Sequence, residues 1–278
     1  MMKSTATLGL SAIAVTGAAV LVLGLVSAPA SAQVTGPGTQ LAKVTASVPS
    51  KITRPTTGAV TKSFTVRFDG PAAGGADSYK LGYPEDSPKL GAVLIAKNAG
   101  ETGAVSAPVL KYNPNKKLDP ASGTSDSSLQ VKASTTLGKY RVVVPVTYHT
   151  QVPASNTTVS TTKYVSVNAD PKVSRAQTTF TGTGKRKRTF TVRVTAPKWE
   201  TGAKVRVYFK AKGKSKYKRV ATRYMKMGTG TYANASRRTI KISKKYNLAG
   251  KGGRYFLKFY STVGAPGYKT ASKVIVRR

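Results

Sequence analysis

Apolar residues recur at every second position over most of this sequence, and that period constrains the fold more than any other feature. Along the segment Lys204–Ala211, Val205, Val207 and Phe209 alternate with polar residues. This is the period of a half-buried β-strand, whose successive side chains point to opposite faces. The same alternation occurs at Tyr140–Val144, Phe190–Val194, Ile240–Ile242 and Tyr255–Phe259. Turn residues separate these segments, and no long amphipathic helix follows residue 32, so the pattern predicts an all-β, antiparallel sandwich fold.

The two halves of the chain share three landmarks in the same order. The matching segments are Ser63–Pro71 with Thr189–Pro197, Gly138–Tyr140 with Gly253–Tyr255, and the closing strands Lys163–Val167 with Lys273–Val276. This order predicts a tandem duplication with its boundary in the turn-forming linker Asn168–Pro171. The predicted domains are residues 33–170, with an inserted polar loop at 110–128, and residues 171–278.

A glycine, a basic residue and a tyrosine precede an alternating strand in each half. This motif resembles the tyrosine corner of immunoglobulin-like and fibronectin-III-like sandwiches, which would place Tyr140 and Tyr255 there. The resemblance implies that each phenol turns back to cap a nearby backbone group. The chain resembles the tandem Ig-like modules of secreted Gram-positive, actinobacterial-type surface proteins, but it lacks the cysteine pair of antibody domains. Such modules serve adhesion, spacing or ligand binding, and the fold does not choose among them.

The first 32 residues have the order of a signal peptide helix. Lys3 precedes the uncharged apolar run Leu8–Val26, and a small-x-small cleavage site ends at Ala32. We therefore expect a secreted protein, with association with the cell envelope as a further expectation. An uncleaved membrane anchor is the alternative. The chain has no cysteine, so disulfides and thiolate metal sites are excluded and each domain must rely on its core.

The residues needed for acid/base or nucleophilic catalysis are scarce. Residues 171–278 contain one acid, Glu200, and no histidine, so no acid/base pair can be assembled there. The only histidine, His149, is interpreted as an exposed strand-end residue. No Gly-x-Ser-x-Gly motif occurs. The sequence predicts a protein that is not an enzyme, with no catalytic residue, metal or cofactor.

Positive charge is concentrated in the second half, where 30 Lys and Arg residues oppose Glu200, against a balance of +7 in residues 33–170. Such a surface attracts polyanions at long range. Alternation turns many of these cations away from the core, with tyrosines among them for stacking or hydrogen bonding. The candidate polyanion-binding residues are Lys185, Arg186, Lys187, Arg188, Arg193, Lys204, Arg206, Tyr208, Lys210, Lys212, Lys214, Lys216, Lys218, Arg219, Lys241, Lys258 and Tyr260. The segment Lys212–Arg219 is predicted to be a hairpin loop.

The expected partner is an anionic cell-wall polymer or another extracellular polyanion, because an exported protein meets these first. A purely solvated basic surface is the alternative, and so is a protein partner bound at a strand edge or at the 110–128 loop. The predicted signal peptide argues against an intracellular nucleic acid as the partner. Contact with a membrane is expected only through an uncleaved signal segment. Trp199 is interpreted as a plug at the end of the sandwich, with stacking on a sugar ring as the alternative.

Overall fold

A computed structural model gives the fold and describes residues 42–70, 79–81, 92–111, 123–151, 154–183, 190–243, 246 and 253–274. Residues 40–278 belong to one compact unit. Strands dominate it, which confirms the predicted all-β class. Over these described ranges, no helix has the length and apolar character to cross a membrane. The predicted signal peptide at residues 1–32 lies outside them.

In the described part of the first half, nine strands form two sheets. They are β1 (Lys43–Ala46), β2 (Lys51–Thr53), β3 (Ala59–Asp69), β4 (Tyr79–Leu81), β5 (Val93–Lys97), β6 (Val109–Lys111), β7 (Thr124–Lys132), β8 (Gly138–Gln151) and β9 (Ala154–Asn168). One sheet has the order β1-β3-β7-β6 and the other the order β2-β9-β8-β4, with β5 also paired to β8. The strand pairs are antiparallel except β2 with β9, which run parallel.

Both of these sheets bury their alternate side chains in one shared core. Phe64, Val66 and Phe68 face inward from β3, and they meet Tyr140 and the valines of β8 from the other sheet. Period-two alternation puts every second residue of each strand into the same layer. The two sheets therefore pack face to face.

Two sheets of four strands each follow in the second half. The strands are β10 (Thr179–Thr183), β11 (Phe190–Pro197), β12 (Lys204–Lys210), β13 (Lys218–Tyr224), β14 (Lys226–Met227), β15 (Ala235–Ile242), β16 (Arg254–Phe259) and β17 (Lys273–Val274). The sheet orders are β10-β11-β15-β14 and β13-β12-β16-β17. Their inner faces share a second core, to which Phe190, Val205, Ile240 and Leu257 contribute fully buried side chains.

A helix stands where the sequence predicts a turn-forming linker. Helix α1 (Pro171–Gln177) begins directly after Asp170, whose carboxylate accepts a hydrogen bond of 2.7 Å from the backbone N–H of Lys172. Aspartate before the first turn and proline within it favour a helix start. The predicted linker Asn168–Pro171 therefore ends in the first residue of a short helix, which strand alternation does not indicate.

The predicted polar loop at residues 110–128 is also wrong in part. Its ends belong to β6 and β7, while residues 112–122 lie outside the described part of the chain. Ser125 and Ser127 are buried at alternate positions of β7, and the Ser127 hydroxyl donates to the Lys111 carbonyl oxygen. Serine occupies the inward positions that valine holds elsewhere, so hydrophobic alternation does not reveal this strand.

Both predicted tyrosine corners have the expected hydrogen bond. The Tyr140 hydroxyl donates to the Thr136 carbonyl oxygen at 2.5 Å, and the Tyr255 hydroxyl donates to the Tyr246 carbonyl oxygen at 2.6 Å. Both tyrosines have side chains with no exposed surface. Each starts the strand that lies in the middle of its sheet, β8 in the first half and β16 in the second.

The two halves contact each other through Asn98. This side chain is 1% exposed, and its Nδ2 donates to the carbonyl oxygens of Trp199 at 3.0 Å and Val263 at 2.6 Å. Its Oδ1 accepts from the Gly100 N–H at 2.8 Å. One buried amide thus satisfies backbone groups from both halves.

Trp199 lies at the same junction, in a 3-10 turn between β11 and β12. Its ring packs against the core of the first half, and its Nε1 donates to the Ser174 hydroxyl at 2.9 Å. The Arg54 guanidinium lies 5.7 Å from the ring centroid. The predicted plug is therefore present, but it seals the first half rather than the half that carries it.

Candidate functional site

The outer side of the sheet β13-β12-β16-β17 carries a cluster of cations and aromatic rings, which we call the basic face. Its central strand β12 buries Val205, Val207 and Phe209 completely or nearly so. Strand alternation then places Lys204, Arg206, Tyr208 and Lys210 on the opposite side, where each is half-buried. Placement of these four residues on one surface agrees with the expectation from the sequence.

Strand pairing adds residues of β16 to the basic face. Across the ladder, Arg206 lies opposite Lys258, and Tyr208 lies opposite Phe256. Directly opposed residues on neighbouring strands share a face and bring their Cβ atoms to about 5 Å. The register thus brings two alternating segments, 44 or more positions apart in the sequence, into one surface with cations and aromatic rings in adjoining rows.

The aromatic residues of the basic face form a packed row. The rings of Tyr208 and Phe256 stack with centroids 4.8 Å apart and planes 2° from parallel. Tyr217, from the segment between β12 and β13, meets Phe256 edge-on at 4.8 Å, and the Lys210 ammonium lies 5.3 Å from the Tyr217 centroid. Offset-stacked and edge-to-face contacts stabilise such a row beyond its buried area.

Tyr260 gathers three cations at the other end of this face. The Arg206 guanidinium lies 4.6 Å from its ring centroid and donates a hydrogen bond from Nη1 to its hydroxyl. The ammonium groups of Lys258 and Lys204 lie 4.9 Å and 5.9 Å from the same centroid. The negative face of an aromatic ring attracts cations, but three positive charges so close together also repel one another. An anion bound beside Tyr260 would relieve that repulsion.

Further cations extend the basic face at its edges. Lys212, Lys214 and Lys216 are exposed in the segment between β12 and β13. Lys218 and Arg219 are exposed on β13 itself, so the predicted loop Lys212–Arg219 ends two residues earlier than expected. The register of β12 and β13 shifts by one residue after Val207, and this puts Arg219 opposite Tyr208.

Two cations of this surface were not predicted. Arg254 is exposed on β16, where it lies directly opposite Lys210. Lys269 forms an isolated antiparallel bridge with Lys258 and is exposed. It follows a turn that contains Gly264 and Gly267, and no alternating segment surrounds it. Its position beside Lys258 comes from the return of the chain toward β16, which no local pattern indicates.

Other predicted site residues lie elsewhere. Arg193 and Lys241 are exposed on β11 and β15, and therefore belong to the sheet that packs against the inner side of the basic-face sheet. Strand alternation correctly predicts that both side chains face outward, but it does not indicate which of the two sheets their strands join. Lys185, Arg186, Lys187 and Arg188 lie outside the described residues.

The one acid of the second half is withheld from this surface. Glu200 is 1% exposed, and burial raises the pKa of its carboxyl to about 7, while a hydrogen bond with Ser174 opposes the shift. Within the described ranges, no group of three or more His, Cys, Asp and Glu residues is placed to hold a metal ion. The basic face therefore has no carboxylate of this half to neutralise it, and electrostatic attraction is what the arrangement can supply.

Comparison with known proteins adds two distant structural similarities. No family model matches the chain, and neither does any curated protein. A YadV chaperone structure is 13% identical over 83% of this chain and 98% of its own, with a TM-score of 0.25. A marsupial T cell receptor is 10% identical over 86% of this chain and 72% of its own, with a TM-score of 0.34. TM-scores of this size carry no argument, so the architecture rests on the strand order described above.

Proposed function

We propose that this protein is a secreted, non-enzymatic binding or scaffold protein whose basic face attaches it to an anionic polymer of the cell envelope. One observation carries the proposal. Lys204, Arg206 and Lys258 converge around the ring of Tyr260, on a surface to which the second half contributes no carboxylate. A cluster of this kind binds anions through charge, with aromatic rings as a hydrophobic and hydrogen-bonding floor.

The strand orders support an Ig-like assignment for both halves. In the first half, β1-β3-β7-β6 corresponds to the A-B-E-D sheet of such sandwiches, and β9-β8-β4 to the G-F-C sheet. In the second half, β10-β11-β15-β14 and β12-β16-β17 give the same two arrangements. Tyr140 and Tyr255 then begin the F strand, where a tyrosine corner belongs. A tandem of such modules, joined by the Asn98 contacts, would carry the binding face.

Attachment through this face would be tight at low salt and weakly selective. Neighbouring strands lie about 4.8 Å apart and alternate residues on a strand about 7 Å apart, so the cations form a grid that a flexible polyanion can follow. Lysines attract phosphates as point charges, whereas bidentate recognition needs arginine. Phosphodiester polymers on the wall of a Gram-positive cell fit this chemistry, and the predicted signal peptide would bring the protein to them.

The test compares two triple variants that each remove three positive charges. Lys204→Gln, Arg206→Gln and Lys258→Gln change the basic face, whereas Lys43→Gln, Lys51→Gln and Lys62→Gln change exposed strand lysines of the first half. Binding of purified protein to isolated cell walls is measured from 50 to about 500 mM salt, with walls that retain or lack their anionic polymers. We expect the first variant to reduce the slope of log K against log salt by about 2, at about 0.7 per lost phosphate contact. The second should leave it nearly unchanged.

Two results would contradict this function. Equal losses in the two triple variants would mean that net charge alone drives adsorption, without a defined face. Binding that persists on walls stripped of anionic polymer would show that this polymer is not the ligand.

A structural or adhesive role with a protein partner is the second candidate. Strand β5 exposes Val93 and Ile95 by 39% and 48% of their surfaces, which is unusual for large apolar residues. Among the described strands, β5 pairs with β8 alone. Exposed apolar edge strands are sites at which another chain can add a strand. Binding of a partner that resists high salt and is abolished by Ile95→Lys, with the basic-face triple variant unaffected, would favour this role.

A further inference from the structure

A second, separate concentration of positive charge lies on the other sheet of the second half. A cleft of about 520 Å³ opens beside β14 and β15, and four cations line it: Arg193, Lys226, Arg237 and Arg238. Among the described residues that line the cleft, none is acidic. We call this site the arginine cleft. It differs from the basic face in shape, because it is concave, and in chemistry, because three of its four cations are arginines.

Strand pairing forces these cations together. Arg237 of β15 lies directly opposite Lys226 of β14, and Arg193 of β11 lies opposite Thr239, two positions further along β15. Like charges directly opposite each other on neighbouring strands destabilise a sheet. The short strand β14 therefore places two cations face to face at a cost in stability, and a bound anion would offset that cost.

One of the arginines, Arg237, is held in place by an aromatic ring of the protein itself. The guanidinium of Arg237 lies 3.6 Å from the ring centroid of Tyr232, which belongs to the 3-10 turn Gly230–Tyr232 beyond β14. Stacking covers one face of the guanidinium and leaves the N–H groups at its rim for an acceptor. The turn after β14 begins at Gly228, whose N–H donates to the Ala235 carbonyl oxygen at 2.8 Å. The Arg237–Tyr232 pair is thus fixed at the wall of the cleft.

Arg238 supplies an unused donor. By alternation it points to the same side of β15 as Ile240 and Ile242, yet it also lines the cleft. Its Nε is buried and has no hydrogen-bond partner among the described residues. A buried donor without an acceptor costs about 1–3 kcal/mol, so such groups usually mark a ligand or water position.

We propose that the arginine cleft binds one phosphate group, as a monoester or a diester, of a small ligand or of one unit of a polymer. Guanidinium groups recognise the arrays of acceptor oxygens that phosphate and carboxylate offer. Against the four cations, a phosphate monoester brings close to two negative charges and a diester brings one. The cleft volume falls within the range of about 300–1,000 Å³ for small-molecule sites. The site lies on the other sheet, so its occupancy does not depend on the function proposed for the basic face.

The experiment is a calorimetric titration of the whole protein with inorganic phosphate, glycerol phosphate and acetate, each at the same ionic strength. We expect one equivalent of phosphate or glycerol phosphate to bind and acetate to bind at least about tenfold more weakly, since each tenfold step corresponds to one good charge-assisted contact. Arg193→Lys and Arg237→Lys keep the charge but remove the fork, and each should weaken phosphate binding by about tenfold. The matched control is Lys204→Gln with Arg206→Gln on the basic face, which should leave this titration unchanged.

Each remaining outcome would overturn the proposal. Acetate binding as tight as phosphate binding would show that the cleft binds small anions without selecting phosphate. Equal weakening by the control pair would show nonspecific charge rather than a cleft. The cleft would be empty in solution if two measurements both failed. The first is a calorimetric titration that shows no binding of one phosphate per protein. The second is a melting temperature of the unmodified protein that does not rise in 50 mM phosphate relative to chloride at equal ionic strength. The melting measurement needs no variant, so it stands even if a substitution prevents folding.

Discussion

Replacement of Asn98 by alanine tests how the two halves of the protein are held together. The Asn98 amide is the one side chain that donates to the carbonyl oxygens of both Trp199 and Val263 in the described part of the second half, while its own carbonyl accepts from Gly100. Alanine at this position keeps the backbone of the first half but removes all three hydrogen bonds.

The magnitude follows from the burial of those partners. Asn98 is 1% exposed, and its bond with Gly100 is buried, whereas the two carbonyl oxygens are partly buried and can regain water. A polar group left unsatisfied costs about 1–3 kcal/mol, with the lower value where water returns. We therefore expect Asn98→Ala to lower the free energy of unfolding by about 3 kcal/mol. With an m-value of about 3 kcal/mol/M, the urea midpoint falls by about 1 M.

The assay uses the only tryptophan of the chain, Trp199, which lies at this junction. Its fluorescence is followed during urea unfolding, and far-UV circular dichroism reports the sheets in parallel. Asn234→Ala serves as the matched control, because Asn234 is exposed in a turn. A midpoint within about 0.2 M of the unmodified protein, with unchanged tryptophan emission, would refute the view that Asn98 couples the halves.

Three further predictions concern single groups of the fold. Tyr140→Phe and Tyr255→Phe each leave a backbone carbonyl oxygen without its phenol donor, so each should lower the free energy of unfolding by about 1–2 kcal/mol in urea titrations. The control is Tyr164→Phe, which should not change this free energy because Tyr164 is 53% exposed. Glu200 binds its proton more tightly in the folded protein, where its pKa is about 7, than in the unfolded chain, so its contribution to stability should be full below pH 4.5 and fall by about 3 kcal/mol as the pH rises to above 7. Glu200→Gln should abolish that pH dependence, and a pH dependence that survives in the variant would belong to another group. Gly100→Ala would bring a Cβ to 1.9 Å from the Lys198 carbonyl oxygen, so it should destabilise the junction by about 3 kcal/mol and shift the Trp199 fluorescence emission. Thr102→Ala changes an exposed neighbouring residue and should have neither effect.

Much of the secondary structure could be predicted because strand alternation is a local property. Val205, Val207 and Phe209 are buried as their spacing requires, and so are the matching residues of β11 and β16. The tyrosine corners could be found for the same reason, since the glycine, the basic residue and the tyrosine are adjacent in the chain. Strand β7 escaped prediction because two of its buried positions hold Ser125 and Ser127 rather than apolar residues.

The candidate site was only partly predictable from the sequence. Alternation identified Arg193 and Arg206 equally well as outward residues, yet the first joins the arginine cleft and the second the basic face. Lys269 and Tyr217 reach the basic face through turns that carry no periodic signal. Helix α1 has a local start signal in Asp170 and Pro171 but no strand alternation. The packing of Trp199 against the first half depends on contacts between the halves, which no local pattern indicates.

The sequence by itself determined the strands whose apolar residues alternate, which side of those strands is buried, and that the second half carries a large excess of cations. These properties depend on residues within a few positions of one another, where backbone geometry alone relates one side chain to the next. Tertiary structure decided which cations share a surface. That choice depends on strand order and register, which bring Lys258 beside Arg206 and Lys226 beside Arg237 and are set by packing across the whole core.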